Sequence, residues 1–536
     1  MKDEAFAGAG TAEEPYKIEY VEDLIVLAKS VNSGNGYKDN YFILVSKLDF
    51  ADSASYKDAT TKMYGDINKD GKVDELLTEL TTGQGFETIG SKKDKSGNDC
   101  TFLGTFIGDD KTIKNYNVTL NSLSESELSQ QDKLIGLFGR NGGTISNLKV
   151  VGNININSVL EGEHSSTVKV GMICAENSGT IDSCKTEGEI NVTLQNIVTK
   201  TAGVVGVNTG KIINSSNSAN ITSNQEKAGI TAESASKGGT TGTPTGNISN
   251  DQNSKTSTGS TSNGEDARTS IGSTSNGEGR ETSAGNTLES DYTEITNCTN
   301  TGKIIETTGS DFYTAGIVAN NKETTITNCT NNGRVEGKMA GGIAGISTGR
   351  IVACQNTAIV SNLNEKSDNT EVAGGIAGIL ENNTMENCKN TGDISGLTNV
   401  GGLVGKNKGD ITVARNDGII SKNSESVAGR AYIGGIAGSN LTKASITNSK
   451  NYGNISSEAD NLVALGGICG IMYTGSAIET SENHGNLSGI AKIITPNEDL
   501  NNNCKDCSNF GGGAAQNFES GELHLGLIYG KFEEVQ

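Results

Sequence analysis

The chain has no tryptophan, three prolines and three histidines in 536 residues. So few prolines exclude a proline-rich linker, and the 71 glycines lack the strict triplet spacing of collagen. His164, His484 and His524 stand in no H-E-x-x-H sequence, so the zinc-peptidase arrangement is missing. No G-K-[ST] completes a phosphate loop among the glycine-rich stretches. No run of about 20 apolar residues exists, which excludes a membrane-spanning helix in this chain. Basic residues are outnumbered 43 to 64, a formal net charge of −21. A surface that acidic is wrong for nucleic acid, whose phosphates need cations, and disfavours anionic lipid. It suits an exposed, water-facing protein.

What is abundant is repetition. Residues 298–302 read CTNTG, 329–333 CTNNG, 388–392 CKNTG and 507–511 CSNFG, with looser copies after Cys354, Ala414, Ser449 and Ser481. Each follows a glycine-hydrophobic stretch. Its marker glycines Gly316, Gly342, Gly375, Gly402, Gly435 and Gly467 lie 26, 33, 27, 33 and 32 residues apart. Further markers are Gly136, Gly171, Gly203, Gly229 and Gly526. A unit of 26–35 residues recurring along the chain is stacked on itself, each copy touching its neighbours. That architecture also tolerates the low hydrophobic share of 33%.

Within a unit the apolar–polar alternation predicts three short strands. The first is the Gly-Ile-Ala stretch (341–346, 374–379, 401–405), the second I-T-N-C or I-x-x-C (326–329, 351–354). The third follows the Asn-x-Gly turn (392–395, 453–456). The fold read from this is all-β: a right-handed parallel β-helix of about eleven or more coils. The hand comes from the usual crossover preference. Coils about 4.8 Å apart give a rod of about 50 Å.

The turn asparagines Asn217, Asn300, Asn331, Asn356, Asn390, Asn416, Asn451, Asn483 and Asn509 are expected to form an amide ladder. Asparagine also tolerates the left-handed conformation of a sharp corner. Cys184, Cys298, Cys329, Cys354, Cys388 and Cys507 share one repeat position with Ser215, Ala414, Ser449 and Ser481. That exchange marks a small inward side chain, with the thiols behaving as small hydrophobes. Cys504 and Cys507 form a C-x-x-C pair, read as a local disulfide or half of a metal site. His484 is expected to be exposed in a turn.

Two regions break the pattern. Gly229 to Cys298 spans 69 residues where 12–14 is usual, so about 55 are inserted. Residues 235–290 are rich in Ser, Thr, Gly and Asn and bury nothing, which predicts a disordered or mobile loop. The N-terminal part, 1–130, carries the helical pattern VEDLIVLAKSVN (21–32), expected to cap the first coil, and early strands at 41–50 and 102–115. Residues 131–536 carry the repeats. Ala5-Phe6-Ala7 resembles the end of a signal-peptidase site, so the chain is read as a mature or trimmed form of a secreted protein. It ends on a first-strand sequence, GLIYG (526–530), so the reading continues the protein past Gln536.

One stretch has metal-ligand spacing. In YGDINKDGKVDELLTEL (64–80), Asp66, Asn68 and Asp70 occupy positions one, three and five of an EF-hand-type loop. Gly71 stands at the tight turn, Lys72 offers its carbonyl at seven, and Asp74 sits at nine. Leu77 stands where the bidentate acid belongs, which weakens the site or moves the last ligand to Glu75 or Glu79. The expectation is structural Ca²⁺; the alternative is a plain acidic turn.

The stretches GLFG (136–139), GIAG (342–345, 375–378, 435–438), GLVG (402–405) and GICG (467–470) resemble the GLUG motif of bacterial secreted proteins. That motif is found in non-catalytic parts of immunoglobulin A proteases. The segments GTAEEPYKIEYVEDLIVLAKSVNSG and FLGTFIGDDKTIKN resemble the opening of β-helical surface proteins of anaerobic gut bacteria. The resemblance implies an extracellular or cell-surface, adhesin-like protein, non-catalytic, binding a host glycoprotein, matrix or glycan ligand. A structural stalk of a larger surface protein is the alternative. A polysaccharide-degrading enzyme would need clustered carboxylates on one face. Asp109, Asp110 and Asp182 are the candidates, and no acids recur at one repeat position.

Overall fold

The computed structural model describes residues 5–57, 86–123, 128, 131–159, 166–223, 226–228, 230–235, 293–306, 313–362, 371–422, 430–458, 462–496, 504–526 and 529–533. Contacts divide the chain into two units, Met1–Lys237 with Tyr292–Gln536, and Gly238–Asp291. The second lies outside the described residues.

The first unit is a parallel β-helix. One coil shows the path: Val318–Lys322, Thr325–Thr327, Thr330–Asn331, Val335–Glu336 and Met339–Gly341. Ala344–Ser347 then begins the next coil, with Ala344 in parallel register beside Val318. This coil therefore has five short strands rather than three, and in other coils neighbouring strands run together, as in Lys149–Val159 and Ala377–Glu386. Two-residue strands such as Thr330–Asn331 are too short to show a period in sequence. One ladder runs through eleven strands, from Phe138 by way of Cys174, Val205, Thr231, Val318, Ala344, Ala377, Val404, Ala437 and Cys469 to Tyr529. Earlier rungs precede it: Phe42 pairs with Tyr16 on one side and Phe106 on the other.

Two expected strands are corners. The Gly-Ile-Ala stretch bends at 342–343, between Met339–Gly341 and Ala344–Ser347. In I-T-N-C the strand stops at Thr327, and Asn328 turns the chain with φ +52°. Asn297, Asn387 and Asn448 do the same at φ 50° to 55°. The left-handed residue is thus the one before the cysteine position. The ladder asparagines themselves lie in extended strands such as Lys389–Asn390 and Lys450–Asn451.

The repeat keeps register because its interior is columnar. Ile145, Ile181, Ile212, Ile295, Ile326 and Ile351 stack in consecutive coils, all buried. A one-residue slip would turn every such side chain outward, so burial fixes the pairing. Register survives the long interruption after Ala235: Ile212 still pairs with Ile295, and Asn217 with Asn300. Differences in repeat length fall largely on the link between the fourth and fifth strands. It holds two residues at 337–338 and ten at 362–371.

At the N-terminal end, the helix Val21–Val31 buries Val21, Leu24, Leu27 and Val31 in the same apolar cluster as Tyr16 and Phe42. The buried carboxylate of Asp23 accepts from the backbone N–H groups of Glu19 and Tyr20, both at 2.9 Å. These contacts fix the angle at which the chain enters the helix.

Candidate functional site

The expected Ca²⁺ loop at 64–80, with Asp66, Asn68, Asp70, Lys72 and Asp74, lies outside the described residues. So does the insert from 236 to 290.

The polar features that recur in every coil are structural. The nine turn asparagines form one continuous ladder. Asn300 Nδ2 donates to Asn331 Oδ1 at 2.8 Å, and the chain of such bonds runs to Asn509 at 2.7–2.9 Å. Each amide spends its second hydrogen on a carbonyl two residues on, as Asn390 does on Gly392 at 2.7 Å. A second ladder, which the repeat motif did not announce, joins Asn141, Asn177 and Asn208, and resumes at Asn407 and Asn440. Its signal was the asparagine ending the glycine-hydrophobic stretch, as in GRN (139–141) and GSN (438–440).

The cysteine position points inward. Cys184, Cys298, Cys329, Cys354 and Cys388 are free and buried. Burial pushes the Cys184 thiol up to about 12 and holds Cys329 and Cys388 well above the ordinary range. Thiols held protonated in this way are inert. At the last coil Cys507 pairs with Cys504 in a disulfide, where Cys504 continues the isoleucine column beside Ile478.

The candidate acids do not converge. Asp109 and Asp110 sit exposed in a left-handed turn, and Asp109 pairs with Lys111. Asp182 accepts from Ser183 Oγ at 2.9 Å and Asn214 Nδ2 at 3.1 Å. A nucleophile-elbow spacing does occur at Gly345-Ile346-Ser347-Thr348-Gly349. Ser347 there is buried, receives Asn321 Nδ2 at 2.8 Å and donates to the Gly349 carbonyl at 2.9 Å. Its bond to Asn321 belongs to the second ladder's column, and among the described residues no base stands beside it. Among the described residues no group of three His, Cys, Asp or Glu side chains is placed to hold a metal. A cleft of about 210 Å³ is lined by Arg140 and Glu176, which pair at 2.9 Å, and Glu176 also binds Lys169; Nη1 of Arg140 is buried with no hydrogen-bond partner among the described residues.

One surface departs from the repeat. The residue after each ladder asparagine faces solvent. It is Ser218, Thr301, Asn332, Thr357 and Thr391 along most of the ladder, with hydroxyl links such as Thr301 to Ser218 at 3.0 Å. In the last three rungs it becomes Tyr452, His484 and Phe510. Their rings stack at 4.5 and 4.6 Å between centroids, tilted by 10° and 15°. The guanidinium of Arg415 covers the free face of Tyr452 at 4.4 Å. His484 is therefore sandwiched, 28% exposed, rather than projecting from a turn. Phe510 remains 66% exposed and Tyr452 38%. Ion pairs flank the rings: Arg415 with Asp417 (2.7 Å), Lys389 with Asp417 (3.1 Å), and Lys450 with Glu482 (2.9 Å). His484 Nε2 lies 2.9 Å from the same Glu482. Bonds from His484 and Lys450 hold the Glu482 carboxyl below its ordinary value. Burial pushes Asp417 up, but Arg415 and Lys389 together outweigh it and leave it lowered.

No protein-family model and no curated protein matches the chain. Among solved structures the chain is similar to a provisionally assigned immunoglobulin A1 protease from Bacteroides ovatus. Identity is 16%, the match covers 95% of this chain and 86% of that one, and the TM-score is 0.22. At that score the likeness carries no argument about this chain. Among the described residues no helix is long and apolar enough to cross a membrane.

Proposed function

We propose that the chain is a non-catalytic, adhesin-like β-helix of a bacterial surface or secreted protein, whose outer face binds a host glycoprotein, matrix or glycan ligand. The observation that supports it is the row Tyr452, His484 and Phe510. Small polar side chains fill that position in the preceding coils, so the fold does not require aromatics there. Exposed rings in contiguous array are what binding surfaces use, because aromatic side chains give large contact area at low entropic cost. The strict register beneath them makes the surface rigid, which lowers the ordering cost of binding.

The test is an array of glycans, mucins and matrix proteins probed with the whole chain, with Ca²⁺ and with chelator. A saturable hit that is lost in Tyr452→Ala and Phe510→Ala supports the reading. Loss in chelator would tie the 64–80 loop to it. A blank array rejects it and leaves a stalk that displays something else.

A further inference from the structure

We propose that the aromatic row takes an acidic glycan, with the sugar carboxylate received by the basic residues beside it; this deepens, and rests on, the binding reading above. Two outward columns flank the asparagine ladder, one residue before each asparagine and one after. They change in overlapping stretches that meet at Asn451, where Lys450 precedes the asparagine and Tyr452 follows it, while Glu482 and Ser508 precede the last two asparagines. Before the asparagine, Thr299, Thr330 and Gln355 give way to Lys389, Arg415 and Lys450. After it, threonine gives way to the acid and rings already described. Basic and aromatic side chains thus share neighbouring coils, held there by pairings such as Arg415 with Lys450.

The electrostatics favour an anion. Three cations, Lys389, Arg415 and Lys450, face two carboxylates, Asp417 and Glu482. A locally positive patch stands out in a chain of net charge −21. Arg415 spends Nε on Asp417, while its side chain remains 50% exposed. Its two terminal nitrogens carry no hydrogen bond among the described residues, so the fork can meet a carboxylate. The rings add to this. Stacking covers the faces of Tyr452 and His484 and leaves their edges outward. An aromatic edge is the positive end of the ring quadrupole and attracts ligand oxygens.

The geometry favours a chain of sugars over a single acid. Rings recur at 4.5 and 4.6 Å along the coil axis, close to the length of one pyranose. Successive sugar residues can therefore meet successive rungs. A nucleic acid would also offer anions and rings, but it carries a phosphate on every nucleotide and needs cations along its whole backbone, where this patch has three.

The experiment is calorimetric titration of the whole chain with tetragalacturonate and 3′-sialyllactose, each against a neutral counterpart, cellotetraose and lactose. The two acidic probes distinguish a uronate chain from a terminal sialic acid. The acidic probes should bind at least about tenfold more tightly than the neutral ones. The double variant Arg415→Gln/Lys450→Gln should remove that preference while lowering the thermal unfolding midpoint only slightly, because exposed ion pairs contribute little to global stability. Equal binding of acidic and neutral probes overturns the proposal, as does acidic binding that survives the double variant. If neither acidic probe binds while the array yields a protein ligand lost in Phe510→Ala, the binding reading stands and the acidic-glycan proposal falls. If both experiments are blank, both fall.

Discussion

A Cβ placed on Gly375 would lie 2.4 Å from Cγ of Asn390 and 2.2 Å from the carbonyl oxygen of Gly402. The same contact recurs at 2.6 Å between Gly342 and Asn356, and at 2.4 Å between Gly435 and Asn451. The two repeated signatures of the sequence are therefore one device. The corner glycine leaves the space in which the buried amide ladder stacks. Gly375→Ala should destabilise the helix by about 1–3 kcal/mol through overpacking. Urea unfolding would show it, and an unchanged midpoint would mean that the corner can open.

Val413 occupies the left-handed corner with φ +53° and is 53% exposed, where Asn387 and Asn448 stand in the adjacent coils. A β-branched residue there is strained by about 1–2 kcal/mol. Val413→Asn should stabilise the protein by about 1 kcal/mol and restore polar side chains at that corner. A lower unfolding midpoint in this variant would reject the assignment of strain.

Three of the buried thiols should resist chemistry. In native, reduced protein, iodoacetamide at mildly alkaline pH should label Cys504 and Cys507, which are partly exposed. Cys184, Cys329 and Cys388 should remain unlabelled, since burial keeps them protonated. Mass spectrometry of the peptides decides it. Rapid native labelling of Cys329 would mean that the core opens.

Asp417 and Glu482 are both held below their ordinary values of 3.8 and 4.5. Lowered carboxyl pKa values contribute stability that is present above the ordinary value and lost as pH falls through the folded one. Amide protection factors around 415–417 and 482–484, corrected for the intrinsic exchange rate, should therefore be constant at pH above about 5 and fall below about 4. Asp417→Asn should remove the acid response at 415–417. Protection that does not change on acidification would show that the ion pairs are not coupled to local stability.

The sequence determined the parallel β-helix, its coil count and the asparagine ladder, because these follow from periodic burial and from one motif written many times. Asn390 and Asn416 announce their stacking by standing at the same place in each unit. It did not determine where the coil bends. Gly-Ile-Ala and I-T-N-C carry strand-like side chains, and their corners at 342–343 and Asn328 are set by backbone angles and by the coils packed above and below. Nor did it disclose the binding row. Tyr452, His484 and Phe510 are separated by 32 and 26 residues, each an ordinary turn residue on its own. Only register, fixed by the buried columns beneath, brings three rings and a guanidinium into one stack.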